Sequence, residues 1–233
     1  MLGIGKALSN ATSALGVDIN DKIFGEIQRT FGGRLRLIIT GAAAISPEVV
    51  KDFKTFGIPV YLGYGLTECS PLVIGNNDRI ELPDSVGVPL PGVEAKIINA
   101  DASGVGEICV KGPMVMLGYY NDPEATAEVL DEDGFFHTGD LGTVDENGYY
   151  RITGRIKNVI VTKNGKNIYP EEVEYYLNKN PFVAESIVVG EDEDDETMVT
   201  AKVFPNVEAI REKLKQSSVS SEEVFKALSN VVK

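Results

Sequence analysis

The stretch from residue 34 to residue 63 most narrows what this chain can become. RLRLIIT (34–40) is short, apolar and β-branched, and reads as a buried strand running into Gly41. Ser46 and Pro47 follow as an N-cap and a first-turn proline. Val49, Val50, Phe53 and Phe56 then fall on one helical face, Gly57 ends the helix, and PVYLG (59–63) reads as a second strand. A strand, a crossover helix and a second strand pair in parallel with right-handed connection. The carboxyl ends of both strands then share one sheet edge, where α/β folds bind ligands. The loops GAAAIS (41–46) and GYGLTE (63–68) are expected to line one crevice there, their glycines letting backbone approach a ligand.

From about residue 83 the texture changes. Pro83, Gly87, Pro89, Pro91 and Gly92 punctuate short strands such as EAKII and GEICV, a pattern expected of an antiparallel, barrel-like subdomain. Asp122 and Pro123 cap a short helix, and Asn147-Gly148 predicts a type I′ hairpin turn. After Arg155 come a hairpin-like VIVTKNGKNIYP, a helix opening at Pro170, two strands joined by the acidic run 191–196, and two closing helices. Ser220 and Glu223 have capping-box spacing in the second of these. The expected architecture is α/β and α+β: a parallel βαβ piece, a barrel-like subdomain, then a small α+β domain. The expected division is residues 1–155 and 156–233.

A net charge of −13 leaves no excess of Lys and Arg to neutralise phosphates, which argues against a general nucleic-acid binder. No stretch is long and apolar enough to span a membrane, and Ser9, Asn10, Thr12 and Ser13 interrupt any signal-peptide core. Cys69 and Cys109 have neither metal-ligand spacing nor a disulfide framework, so reduced thiols in a cytoplasmic protein are expected.

Four motifs stand in fixed order: YGLTE (64–68), GEICVKGPMVMLGYYNDPEAT (106–126), TGDLG (138–142) and YRITGRIKNVIVTKNGKNIYPEEVE (150–174). Together they resemble the adenylate-forming superfamily of acyl-CoA synthetases, luciferases and peptide-synthetase adenylation domains, over about residues 30–205. The resemblance implies ATP, Mg²⁺ and coenzyme A as cofactors and small-molecule substrates as partners. Peripheral membrane association of the whole protein is compatible with it. It also implies that 1–155 is the C-terminal part of the large AMP-binding domain and 156–233 a small mobile domain.

The implied roles follow residue by residue. Thr67 would donate to a nucleotide phosphate and Glu68 would hold Mg²⁺, a hard cation that takes carboxylate oxygen. The two oxygens of Asp140 would accept from the ribose hydroxyls, and Arg155 would add a fixed positive fork near ribose or phosphate. Gly41, Ala42, Ala43, Gly63 and Gly65 would leave room around adenine, and Tyr64 would stack on it. Lys157 sits at the family's hinge, and Gly165 lies in the TKNGKN loop that would approach coenzyme A after rotation. Each residue also has an ordinary structural reading: tight packing for the glycines and alanines, core filling for Tyr64, a strand-end Thr and a solvated Glu at 67 and 68, a turn residue for Asp140, a surface ion pair for Arg155, a solvated lysine at 157. His137, the only histidine, and Cys69 read as structural, and EDEDDE (191–196) as a solvated hairpin tip.

The family's phosphate-binding loop and its late catalytic lysine are not found. Lys213, Lys215, Lys226 and Lys233 lie in helical segments and do not fit the latter. The chain is therefore expected to be a fragment without ligase activity of its own, from an enzyme that activates a fatty, long-chain carboxylic acid with ATP and passes it to coenzyme A. ECSPLV after YGLT and the tail after VFPN point to the long-chain branch. The alternatives are an aryl or medium-chain acid ligase and a non-catalytic split homologue that binds nucleotide or a partner.

Overall fold

The computed structural model describes residues 20–43, 45–79, 82–193 and 196–229. The chain divides into two compact units: Met1–Thr138 with Gly142–Ile152, and Gly139–Leu141 with Thr153–Lys233. Among the described residues no helix is long and apolar enough to cross a membrane.

The first unit opens with helix α1 (Asn20–Thr30) and strand β1 (Ile38–Thr40), followed by helix α2 (Pro47–Thr55) and strand β2 (Val60–Gly65). The capping expectation holds: Ser46 is extended and its hydroxyl accepts from the Glu48 N–H, with Pro47 in the first turn. β1 and β2 are parallel, with Ile38 beside Val60 and Thr40 beside Leu62. β3 (Leu72–Gly75) and β4 (Val88–Pro89) extend this sheet in the order β1-β2-β3-β4 by antiparallel pairing. Phe24 of α1 packs on Phe56 at 5.0 Å between ring centroids, and Gln28 donates to the Phe56 carbonyl.

Two details differ from the expectation. Only Ile38–Thr40 of the 34–40 run is strand, and it is not buried: β1 is the outer strand of its sheet, and Ile39 is 65% exposed. Val49 is also exposed, because the buried face of α2 runs through Val50 and ends on Phe56, and its neighbour in sequence is rotated about 100° away.

A second sheet has the order β5-β6-β7-β8, from β5 (Glu94–Ile98), β6 (Gly106–Lys111), β7 (Phe136–Val144) and β8 (Tyr150–Arg155). Of its last two strands, β7 belongs to the second unit only at Gly139–Leu141, and β8 passes from the first unit to the second at Thr153. Helix α3 (Pro123–Val129) lies between β6 and β7, and the Asp122 carboxylate caps it by accepting from the Ala125 N–H. Tyr64, Cys69, Val73, Ile74, Ile108, Val110, Phe136 and Tyr150 form the core. The turn between β7 and β8 is not type I′. Gly148 N–H donates to the Asp145 carbonyl, so Glu146 and Asn147 are the central residues, and Gly148 follows in the left-handed region at φ 81°. The Asp145 side chain decides this by accepting from the N–H groups of Asn147 and Tyr149.

The second unit contains the short hairpin β9 (Ile160–Val161) and β10 (Asn167–Ile168), then helix α4 (Pro170–Asn178). The long hairpin β11 (Val183–Glu193) and β12 (Glu196–Pro205) follows, with α5 (Val207–Leu214) and α6 (Ser221–Ser229) last. The tip residues of the acidic run, 194 and 195, lie outside the described residues, as do residues 1–19. Glu174 of α4 accepts from the Val188 N–H, and Ser186 donates to Asn178, which fastens α4 to β11.

The capping box is formed at α6: Glu223 accepts from the Ser220 N–H at 2.8 Å, and Ser220 accepts in return at 3.3 Å. Ser220→Ala is expected to cost about 1 kcal/mol of local stability, seen as faster amide hydrogen exchange along α6 with β11 and β12 unchanged.

Candidate active site

The expected site residues fall into two sets, one in each unit. In the first unit, Gly41 and Gly63 lie side by side at the carboxyl edge of β1 and β2. A Cβ built on Gly41 would come 2.6 Å from the Gly63 carbonyl oxygen, so the absence of a side chain is what lets the strands end together. Ala42 takes the left-handed conformation at φ 68°, and it and Ala43 are exposed. Ala44 lies outside the described residues. The two small-residue loops thus share an edge, as the βαβ reading requires.

Gly65 is needed for a different reason. A Cβ there would lie 1.8 Å from the Pro71 carbonyl oxygen, which accepts from the Leu66 N–H at 2.8 Å. This tight closure leads into a single 3₁₀ turn, Thr67–Cys69. Thr67 is exposed and Glu68 half-buried, whereas Tyr64 is only 8% exposed and packs in the core. Core filling therefore accounts for most of the Tyr64 ring surface. Cys69 is fully buried, and burial, with the Glu68 charge second, pushes its thiol up to about 11. It is a protonated packing group at neutral pH, as its structural reading held.

One contact was not legible in the sequence. The Tyr119 hydroxyl donates to Glu68 Oε1 at 2.9 Å, and the Glu68 carbonyl accepts from the Met116 N–H at 2.7 Å. Burial first, then the Glu68 hydrogen bond, raises the Tyr119 phenol above its ordinary value, so it stays a donor. The two residues are 51 apart, and no local spacing links them. The only signal was that Tyr119 falls within one of the four ordered motifs. A cavity of about 430 Å³, with Leu117, Gly118, Thr126 and Leu130 in its wall, opens beside Tyr119.

In the second unit, Asp140 is 5% exposed and Arg155 Nε sits 2.8 Å from its Oδ1. The guanidinium itself is largely exposed, so this is a buried carboxylate gripped by a surface arginine. Lys157 is exposed in a 3₁₀ turn, Ile156–Asn158, directly after β8. Asn158 donates to Glu171 Oε1 at 2.7 Å, and a Cβ on Gly154 would meet Glu171 Oε2 at 2.6 Å. Gly165, at φ 73°, closes the exposed 162–166 loop by donating to Thr162.

Residues 10–120 match the family model described as AMP-binding enzyme. With that match and the fold, the chain belongs to the adenylate-forming superfamily, AMP-binding enzymes that include acyl-CoA synthetases. Over 195 residues it is 36% identical to long chain acyl-CoA synthetase 6, peroxisomal, of Arabidopsis thaliana, covering 79% of this chain and 28% of that protein. It is 44% identical over 165 residues to probable 4-coumarate–CoA ligase 1 of Dictyostelium discoideum, covering 67% of this chain and 30% of the relative. Among solved structures, an ATP-bound RpMatB–BxBclM chimera matches with a TM-score of 0.73 at 33% identity, over 91% of this chain and 43% of that one. The chain thus spans less than a third of the length of these two curated relatives.

Proposed function

We propose that this chain is part of an acyl-CoA synthetase that activates a long-chain fatty acid with ATP and transfers the acyl group to coenzyme A. The observation that carries the reading is the exposed Thr67 beside a Glu68 carboxylate fixed by Tyr119, at the sheet edge where α/β folds take ligands. Residues 1–155 are read as the C-terminal part of the AMP-binding domain and 156–233 as the small mobile domain, with Lys157 at the hinge and Gly165 in the coenzyme A loop. A cytoplasmic location accords with two buried free thiols.

The residues fit the cofactors in kind. Glu68 spends one oxygen on Tyr119 and has a second to offer a hard cation. Mg²⁺ bound there would neutralise charge on the phosphates as pyrophosphate leaves. Thr67 supplies a hydroxyl donor to a phosphate oxygen. The Asp140 carboxylate, one oxygen of which Arg155 holds, would accept from the ribose hydroxyls. Gly41, Ala42, Ala43 and Gly63 leave the sheet edge open for adenine, with Tyr64 supporting it from the core side.

The acid is tested by pyrophosphate release from the whole protein with a panel of saturated fatty acids and hydroxycinnamic acids. Rates that rise with chain length support the long-chain reading. Release for hydroxycinnamates and none for fatty acids sinks it and leaves the aryl ligase, the second reading that the 44% identity favours. Tyr119→Phe is expected to raise the Mg²⁺ concentration for half-maximal rate about 3- to 10-fold, the ~0.7–1.4 kcal/mol of a solvent-exposed hydrogen bond, with KM for the acid unchanged.

A further inference from the structure

A second cluster of chemistry lies away from these residues, on the face of β6 opposite to Ile108 and Val110. Alternation along the strand puts Glu107 and Cys109 together on that face. Thr138 donates to the Ile108 carbonyl at 2.7 Å and pins β7 alongside. This brings His137 Nδ1 to 3.7 Å from Cys109 Sγ and 3.1 Å from Glu107 Oε2. One donor atom from each residue lies within 4.8 Å of the other two.

We propose that Glu107, Cys109 and His137 form a binding site for one divalent cation of the zinc class, with Asp131 orienting the histidine. Thiolate, imidazole and carboxylate are the donor types such a cation takes, and three protein ligands leave a fourth position for water. Zinc–sulfur and zinc–nitrogen bonds in a tetrahedral site hold those two atoms about 3.5 Å apart, close to the separation already present. Behind the ring, His137 Nε2 lies 3.6 Å from Asp131 Oδ2. That carboxylate faces the Nε2 side of the ring, and its charge favours the proton on Nε2, which leaves Nδ1 as the ligand atom. Asp131 is itself fixed, because its carboxylate accepts from the Phe135 N–H at 2.7 Å.

The charges close. Glu107, Asp131 and a Cys109 thiolate carry three negative charges. Lys96, paired across the sheet with Cys109 and 4.0 Å from Asp131, carries one positive charge. A divalent cation brings the local sum to zero. Cys109 is a free, fully buried cysteine. Binding therefore forms the metal–sulfur bond and releases the thiol proton to solvent. Sequence spacing missed the site because Glu107 and Cys109 lie 30 and 28 residues from His137.

The test uses the tag-free 233-residue protein, since its single histidine makes any added histidine tag a competitor. It is titrated anaerobically with Co²⁺ and followed by absorbance. A thiolate-to-cobalt charge-transfer band saturating at one equivalent, and bleached by Zn²⁺, is the expected result. The band should vanish in Cys109→Ser and persist in Cys69→Ser. Asp131→Asn, a half-exposed position that keeps the oxygen accepting from Phe135, should weaken binding about 10- to 100-fold. Should Cys109→Ser fail to fold by circular dichroism, Glu107→Gln replaces it, with loss of affinity expected. Absence of the band in the wild-type protein, its survival in folded Cys109→Ser, or wild-type affinity in Glu107→Gln overturns the site.

Discussion

Asp140→Asn in the whole protein should lower kcat/KM for ATP about 10- to 100-fold, the 1.5–3 kcal/mol of a hydrogen bond to a charged group. The carboxylate is nearly buried and one oxygen is held by Arg155 at 2.8 Å. The amide keeps the shape and loses the charge and one acceptor. A purely structural Asp140 would also suffer, so the discriminating readout is the ratio of rates with ATP and with its 2′- and 3′-deoxy analogues. A ribose-binding Asp140 makes the wild-type protein prefer ATP, and the preference should shrink toward unity in the variant. An undiminished preference would sink the ribose role and leave the ion pair as its whole purpose.

The second large effect concerns stability. Gly65→Ala should destabilise the first unit by about 3 kcal/mol or more, at the upper end for overpacking. The new Cβ would fall 1.8 Å from the Pro71 oxygen and 2.9 Å from the Leu72 Cα, both backbone atoms that cannot swing aside. Relieving the clash opens the end of the β2–β3 pairing and displaces Thr67 and Glu68. Gly25→Ala in α1 is the matched control. Nothing lies within 4 Å of its would-be Cβ, and alanine in a helix interior is favoured by about 1 kcal/mol. Urea unfolding followed by circular dichroism should move the two midpoints in opposite directions. Equal midpoints would mean that the Leu66–Pro71 closure relaxes at little cost.

What could be read in the sequence was what neighbours decide. Ser46, Asp122 and the Ser220–Glu223 box cap helices through bonds spanning two to three residues, and each forms. The parallel βαβ piece follows from handedness and needs no distant information. The ordered motifs brought Thr67, Glu68, Asp140 and Arg155 into view through the family resemblance. The rest depends on partners far along the chain. Nothing in YGLTE announces that Tyr119 will hold Glu68, or in TGD that Arg155 will take the Asp140 oxygen rather than face solvent alone. Exposure of Ile39 is a matter of which strand ends up outermost, which composition cannot tell. The hairpin at 145–148 failed for a local reason: the Asp145 side chain outcompeted the Asn-Gly preference by supplying two acceptor contacts.

The Asn158–Glu171 bond has a mechanical consequence for the hinge. It ties the turn carrying Lys157 to helix α4, and both belong to the second unit. Both bonded residues follow Lys157 in the chain, so a swivel centred there leaves the bond whole and carries bond and helix along as one lever arm. In those terms the bond is a brace inside the arm, and the proposed axle at Lys157 lies directly before it.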